Sequence, residues 1–326
     1  MFVNLIFLLL VIGLAGLFGW LCYRAIRGRK LWVKIVGGLV AGLLTLLCVV
    51  VAVMGARGLG AIYLPGAAPA PNLKVAVTPQ QVARGEYLVG LSCVGCHGAV
   101  GADGNPTEQP PLTGGWNIAA AEGFGFMGAM ITENLTPGGK LAGYSDGELF
   151  RVMRYSISKE GHKLGFMDFL PYKELSDEDT EALIAYLRSL PPAKSAAATR
   201  GSFNFIGAVL MGSGMFPPSA PGAASVKAPP KGITAEYGKY VATFGECRGC
   251  HGPNLTGVEA SALGPAVPNP RPTVSTWTQA QFIQTMRTGV RPSGAPFTER
   301  MPWKSAAKMT DDDLAALYAY LKAPVQ

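Results

Sequence analysis

The chain has 326 residues, with 28 Lys and Arg against 21 Asp and Glu and a formal net charge of +7. Residues 1–57 hold six of the basic residues and no acidic one, which leaves 22 basic against 21 acidic residues in the remainder. A nearly neutral remainder gives no support for a nucleic-acid partner. The length allows two domains of ordinary size, each with its own core.

Two apolar runs occupy the N-terminal part of the chain. Residues 1–23 are uncharged, and after a basic stretch at 24–34 a second uncharged run extends over 35–56. Each run is long enough to cross a bilayer, which takes roughly 20 residues, and the first lacks the positive start and short apolar core of a cleavable signal peptide. We therefore predict a retained transmembrane hairpin at 1–57 with the lipid bilayer as its partner. Its basic loop should face the cytoplasm, which leaves the rest of the chain on the outer face.

The remainder of the chain contains a repeat. One copy begins with "TPQQVARGEYLVGLSCVGCHG" at Thr78 and the other with "TAEYGKYVATFGECRGCHG" at Thr234. The copies end in "LSDEDTEALIAYLRSLPP" and "MTDDDLAALYAYLKAP", which are related by a constant offset of 134 residues. Polar N-caps, acidic first turns and apolar stripes predict amphipathic helices at both ends of each copy. The sequence thus predicts an all-α fold with two tandem domains at 78–192 and 233–326.

Two segments join these parts of the chain. Residues 58–77 are rich in Gly, Ala and Pro and predict an extended linker. The connector at 193–232 contains an apolar part, Phe203 to Phe216, that is too short to span a bilayer. We expect this part to pack over the seam between the two domains. Contact with the membrane surface or with a partner subunit is the alternative.

Each copy contains one C-x-x-C-H motif, "CVGCHG" at 93–98 and "CRGCHG" at 247–252. Cysteines at i and i+3 and a histidine at i+4 lie on one side of a helical turn, where two thiols can reach the vinyl groups of one haem while the imidazole binds the iron. Zinc would need four convergent ligands, and a dithiol redox site would not need the histidine. We predict two covalently bound haem c groups. The thioether residues are Cys93, Cys96, Cys247 and Cys250, and the proximal iron ligands are His97 and His251.

Longer segments also point to a family. They include "ITENLTPGGKLAGYSDGELFRVMRYSISKEGHKLGFM" in the first copy and "RTGVRPSGAPFTERMPW" in the second. With the motifs, they cover most of residues 78–323, in which the chain resembles the membrane-bound multihaem c-type cytochromes related to the cytochrome subunits of bacterial alcohol and gluconate dehydrogenases. The resemblance implies a helical fold, iron held by His and Met, and electron transfer. It also implies that the carbonyls of Pro111 and Pro265 accept the second N–H of the haem histidines.

The second axial ligand of each iron can be predicted from the repeat. Met301 precedes the terminal helix in "MPW", and the offset of 134 residues places Met167 at the equivalent position. We therefore predict Met167 and Met301 as the second iron ligands. His162 is the rival in the first domain because no other histidine lies outside the motifs, but its counterpart in the second copy is Ala295. Met153 or an open coordination position are further alternatives.

These features predict a dihaem cytochrome in the bacterial inner (plasma) membrane, with its haem domains on the periplasmic face. It would carry electrons between a membrane oxidoreductase, either quinol-oxidising or a substrate-oxidising dehydrogenase subunit, and an acceptor such as a soluble cytochrome or terminal oxidase. The sequence contains no nucleotide-binding fingerprint and no nucleophile paired with a base, so we predict an electron-transfer protein rather than an enzyme. The alternatives are a dihaem peroxidase or oxidase with one open iron, and a subunit that mainly assembles a respiratory complex.

Overall fold

The fold is described from a computed structural model that covers residues 1–66, 69–195, 201–261, 264–298 and 300–325. Within these residues the chain is mostly helical, and its sheet consists of two antiparallel two-residue strands, β1 (Gly128–Ala129) and β2 (Ser202–Phe203). The predicted all-α fold, with two apolar helices at the N-terminus, is confirmed.

The N-terminal hairpin consists of helix α1 (Phe2–Ile26) and helix α2 (Gly38–Tyr63), which follows a π-helical turn at Val33–Gly37. Both helices are long and apolar enough to cross a membrane. Helix α2 runs past position 57, so the start of the stretch predicted as a linker is helical. The apolar side chains of Leu59 and Ile62 pack into a core there, which extends the helix almost to Pro65.

The rest of the chain forms shorter helices. Those of the first copy are α3 (Pro79–Leu91), α4 (Val94–His97), α5 (Ile118–Ala121), α6 (Asp146–Tyr155) and α7 (Asp177–Ser189). The connector contains α8 (Phe205–Ser213). Those of the second copy are α9 (Ala235–Phe244), α10 (Cys247–His251), α11 (Arg271–Ser275), α12 (Gln279–Thr288), α13 (Trp303–Ala306) and α14 (Asp311–Lys322). The predicted N-caps of α3, α7 and α14 are confirmed, since backbone N–H groups donate to the hydroxyls of Thr78, Ser176 and Thr310.

The first and last helices of each copy cross at a glycine. In the first copy, a Cβ atom on Gly85 of α3 would lie 2.0 Å from the carbonyl oxygen of Ala182 on α7. In the second, a Cβ atom on Gly238 of α9 would lie 1.9 Å from the carbonyl oxygen of Ala316 on α14. Ala182 and Ala316 are related by the repeat offset. Both copies therefore bring two helix backbones together in the same way, which a larger residue would prevent.

Two reciprocal tyrosine–aspartate hydrogen bonds join the two copies. Tyr87 on α3 donates its hydroxyl proton to Asp313 on α14, and Tyr240 on α9 donates to Asp179 on α7, each over 2.6 Å. The tyrosines occupy equivalent positions in "GEY" and "GKY", and the aspartates are related by the repeat offset. The two contacts are thus related by an approximate two-fold axis, as in an isologous dimer interface. Side chains of both copies form one continuous apolar core around them.

The connector does not lie where the sequence suggested. Helix α8 packs against α2, and its residues Ala208 and Met211 share a small core with Leu59 and Ile62 of that helix. The expectation that Phe203 to Phe216 covers the seam between the domains is therefore wrong. The physical reason is that the seam is already filled by the two-fold contact, whereas the end of α2 presents small residues that admit another helix.

Substitution of Gly85 by alanine should destabilise the protein. The added methyl group must separate α3 from α7, and overpacking of this kind costs about 1–3 kcal/mol. The control is Gly90→Ala in the same helix, where an added Cβ has no heavy atom within 4 Å and the higher helix propensity of alanine should be neutral or stabilising. Denaturant unfolding of the full-length protein in detergent, followed by circular dichroism, compares the two. Equal midpoints for both variants would contradict the role assigned to the crossing.

Candidate haem sites

The first C-x-x-C-H motif opens into a cavity. Cys93 follows α3 almost directly and precedes the single turn α4, in which the His97 N–H donates to the Cys93 carbonyl over 2.8 Å. This turn places Cys93, Cys96 and His97 along one wall of a cavity of about 350 Å³, and Met167 lines the same cavity. The remaining wall is mostly apolar and includes Leu149, Leu183 and Leu187. An apolar cleft with two thiols, an imidazole and a thioether fits a covalently attached haem.

The imidazole of His97 is oriented by a backbone carbonyl. Its Nδ1 lies 2.8 Å from the carbonyl oxygen of Glu133, which can only accept, so Nδ1 carries the proton and Nε2 keeps a free lone pair. Burial also lowers the pKa of His97, which favours the neutral form that binds metal. In the second copy, His251 Nδ1 lies 2.9 Å from the carbonyl oxygen of Pro268.

These partners differ from the expected ones. The carbonyls of Glu133 and Pro268 occupy the positions that the family resemblance assigned to Pro111 and Pro265, so that expectation is wrong. A loop distant in sequence from each motif supplies the carbonyl, and no side-chain pattern distinguishes it. Glu133 lies 36 residues after His97, whereas Pro268 lies 17 residues after His251, so the spacing from the motif gives no signal either.

Met167 lies in a 3₁₀ turn, Phe166–Phe169. The residue that follows it in this turn, Asp168, belongs to a buried polar network. Asp168, 3% exposed, accepts hydrogen bonds from the backbone N–H and the hydroxyl of Ser219, each over 2.7 Å. Its carboxylate also lies 2.7 Å from Lys163 Nζ, and the Lys163 N–H donates to the Ile62 carbonyl at the end of α2. The turn that carries Met167 is thus fixed to both the connector and the hairpin. Sequence reasoning missed this network, because its members are not adjacent in sequence.

The rival ligands line the same cavity. His162 and Met153 both belong to its wall, and the His162 ring packs edge-on against Tyr63, with ring centroids 5.0 Å apart. The two copies form equivalent turns at this position. The Ser158 N–H donates to the His162 carbonyl in the first copy, and the Arg291 N–H donates to the Ala295 carbonyl in the second. The structure therefore agrees that Ala295 is the counterpart of His162.

The second motif forms the one-turn helix α10. Glu246, which precedes it, has a positive φ of 59°, and the turn presents Cys247, Cys250 and His251. Met301 packs half-buried against the core shared by both copies, just before α13. Gly289 lies under Trp303 and has a φ of +71°, and a Cβ atom there would lie 2.4 Å from the indole. This close contact positions Trp303, two residues after Met301.

The two motifs lie near each other. Burial raises the pKa of Cys93, Cys96 and Cys247 to about 12. Burial also raises the pKa of Cys250, and Glu246 adds to the increase at all four cysteines when it is ionised, although burial raises its own pKa to about 8. An interaction of Glu246 with both motifs agrees with the direct contacts between the second motif and the first copy. A raised thiol pKa disfavours the thiolate form on which a dithiol redox site depends.

Further contacts hold the second motif against the first copy. Arg248, within the motif, pairs with Glu174 of the first copy over 2.5 Å. A Cβ atom on Gly249 would lie 3.9 Å from the Leu170 side chain, which lines the first cavity.

This arrangement defines a haem-binding electron-transfer protein of the cytochrome c type. The family model for cytochrome c matches residues 82–191 and 235–323, more than half of the chain, and the chain belongs to that family. Each match contains one C-x-x-C-H motif.

Several characterised proteins are similar to the chain. It is 30% identical over 270 residues to the fructose dehydrogenase cytochrome subunit of Gluconobacter japonicus, covering 74% of this chain and 52% of that one. It is 25% identical over 273 residues to a dihaem c-type cytochrome of Cereibacter sphaeroides, covering 77% and 88%. It is 35% identical over 96 residues to the cytochrome c subunit of the quinone-dependent alcohol dehydrogenase of Gluconacetobacter polyoxogenes, covering 26% and 20%. The chain thus matches about a fifth of the alcohol dehydrogenase subunit and about half of the fructose dehydrogenase subunit.

Substitution of Asp168 by asparagine should weaken both the fold and the position of Met167. It leaves the Lys163 ammonium buried without its counter-ion, which costs about 3–5 kcal/mol. The control is Lys140→Gln, which breaks an exposed pair with Glu133 and should cost less than about 1 kcal/mol.

Denaturant midpoints of the haem-loaded variants measure the loss of stability. The methionine-to-ferric-iron absorption in the visible and near-infrared shows whether Met167 still binds the iron. An Asp168→Asn protein as stable as Lys140→Gln, with that absorption unchanged, would show that the network does not hold the turn.

Proposed function

We propose that the chain is a membrane-anchored dihaem cytochrome that carries electrons between a membrane oxidoreductase and a second redox protein. The main support is the cavity that gathers Cys93, Cys96, His97 and Met167, together with an equivalent motif and methionine in the second copy. The similarity to dehydrogenase cytochrome subunits and to a dihaem cytochrome supports the same function.

In each domain, the two cysteines would hold one haem c through thioether bonds. His97 and His251 would bind the irons through the Nε2 atoms left free by their carbonyl partners. Met167 and Met301 would complete the coordination. The bound haem supplies one-electron chemistry, and a methionine ligand raises its reduction potential. The apolar wall excludes water, which also favours the less charged, reduced iron.

The hairpin would anchor the protein in the bacterial inner membrane. Helix α1 begins and α2 ends on the side that carries the haem domains, while the basic residues 24–34 lie at the opposite turn. A cytoplasmic position of these basic residues agrees with the usual charge asymmetry of membrane proteins. The haem domains would then lie on the periplasmic face, where a soluble cytochrome or a terminal oxidase can receive electrons.

The first domain would contain the haem nearer the membrane. Ile62 and Tyr63, the last residues of α2, belong to the wall of its cavity. Electrons from a membrane partner, such as a dehydrogenase or a quinol-oxidising complex, would therefore enter at this haem. The contacts of Arg248 with Glu174 and of Gly249 with Leu170, which lines the first cavity, bring the second motif close to the first haem site and support onward transfer.

Substitution of Met167 by alanine should remove one of two methionine-to-ferric-iron absorption signals and lower the potential of that haem. Haem content, measured after denaturation in alkaline pyridine, should stay at two per chain because the cysteines are intact. His162→Ala is the matched control, since its side chain lines the same cavity, and it should keep both signals. Loss of a signal in His162→Ala, or its retention in Met167→Ala, would contradict the ligand assignment. Rapid carbon monoxide binding by the wild type would instead favour a peroxidase or oxidase with an open iron.

The impermeant oxidant ferricyanide should oxidise both prereduced haems in intact spheroplasts. We expect this result because both domains would face outward and electrons would pass between the two haems. Inside-out vesicles provide the control, in which oxidation should require detergent. Oxidation in inside-out vesicles alone would contradict the orientation, and oxidation of one haem only would contradict transfer between the two.

A further inference from the structure

The connector helix α8 has an apolar face that no described part of the chain covers. The segment from Phe203 to Phe216 contains no charged residue, and Ile206 and Met215 are 54% and 52% exposed. Phe126, whose backbone carbonyl accepts a hydrogen bond from the Asn204 side chain, is 53% exposed. A helix that is apolar on all sides is normally buried in protein or in lipid.

The other face of α8 is packed tightly against the hairpin. A Cβ atom on Gly58 of α2 would lie 1.7 Å from the Ala208 carbonyl oxygen, and one on Gly212 of α8 would lie 1.8 Å from the Met54 carbonyl oxygen. The ring of Phe205 stacks on that of Phe7 in α1, with centroids 6.1 Å apart. The two helix backbones of α2 and α8 are thus in direct contact, and α8 is fixed relative to both hairpin helices.

The depth of this contact follows from the charges that bound the hairpin. A hydrocarbon layer of about 30 Å takes about 20 helical residues. Counted from Lys34 in the π-helical turn and onward along α2, the layer ends near Met54. Counted back from Arg24 along α1, it ends near Asn4. Both end points meet the connector, since Met54 faces Gly212 and the buried Asn4 side chain donates to the Phe203 carbonyl over 2.9 Å.

Two separate counts therefore place α8 at the outer boundary of the lipid. Phe7, which stacks on Phe205, lies one helical turn inside it. The exposed side chain of Arg57 lies about one turn beyond Met54, which is the level of the lipid phosphates, where a basic side chain is favoured.

We propose that α8 lies in the outer lipid–water boundary and that Ile206, Met215 and the adjacent Phe126 contact acyl chains. This inference rests on the proposed membrane anchoring. Helix α8 is then a third membrane contact in addition to the two spans, of the kind made by interfacial helices. Since Phe203 also lines the first haem cavity, this contact fixes the height of that haem above the bilayer.

The test uses single cysteines in the full-length, haem-loaded protein, in which Cys22→Ala and Cys48→Ala remove the free thiols of the hairpin. The protein is placed in phosphatidylcholine nanodiscs, which leave both membrane faces accessible, and treated with a water-soluble maleimide. Ile206→Cys and Met215→Cys should react more slowly than Ile233→Cys by roughly tenfold or more, because lipid disfavours the reactive thiolate. Ile233, 55% exposed in the segment before α9, is the aqueous control, and Leu43→Cys in the middle of α2 is the lipid control.

A phosphatidylcholine with a diazirine in its acyl chain identifies the covering material by mass spectrometry of the peptides. Cross-links from this lipid to the α8 peptide are expected. Reaction of Ile206→Cys at the rate of Ile233→Cys would overturn the proposal. Slow maleimide reaction without lipid cross-links would also overturn it and would indicate that a second protein, such as another copy of the chain, covers α8. Fast reaction of Leu43→Cys would instead refute the anchoring itself.

Discussion

The arrangement of both candidate haem sites depends on the reciprocal hydrogen bonds between Tyr87 and Asp313 and between Tyr240 and Asp179. Each C-x-x-C-H turn follows within a few residues the helix that carries one of these tyrosines, so fixing that helix against the partner copy also fixes the motif. Asp313 is only 1% exposed, yet its charge is stabilised by two tyrosine hydroxyls and by its position in the first turn of α14. A buried carboxylate that lost these donors would be costly, which makes separation of the two copies unfavourable.

The segment that carries the predicted methionine ligand is held by different contacts in the two copies. In the second, the loop after α12 and the methionine before α13 are held by local contacts such as that between Gly289 and Trp303. In the first, the equivalent region is fixed by Asp168, which bonds to Ser219 of the connector and to Lys163, itself bonded to α2. The two copies thus share the C-x-x-C-H turns and differ in the contacts that hold the methionine segment, because in the first copy this segment also contacts the hairpin and the connector.

Much of this architecture could be predicted from the sequence, because the signals were local or repeated. The helix caps at Thr78, Ser176 and Thr310 depend on neighbouring residues, and the offset of 134 residues related Met167 to Met301 without a structure. The histidine partners could not be predicted in this way, since a backbone carbonyl such as that of Glu133 has no sequence signature. The extension of α2 to Tyr63 was missed because Gly58 and Gly60 suggested a linker, although Gly58 in fact allows α8 to approach. The position of the connector was missed for the same reason.

The contribution of Ile62 and Tyr63 to the first cavity has a consequence for how the protein meets its partners. A cytochrome on a long flexible tether can shuttle, since it searches a hemisphere around its anchor and carries its electron from donor to acceptor. Here the anchor helix is itself part of the cavity wall, so in the proposed arrangement the first domain cannot leave the membrane surface without opening its own haem site. The protein would then act as a stationary relay, and the mobile component of the electron-transfer chain would be the acceptor that diffuses to it.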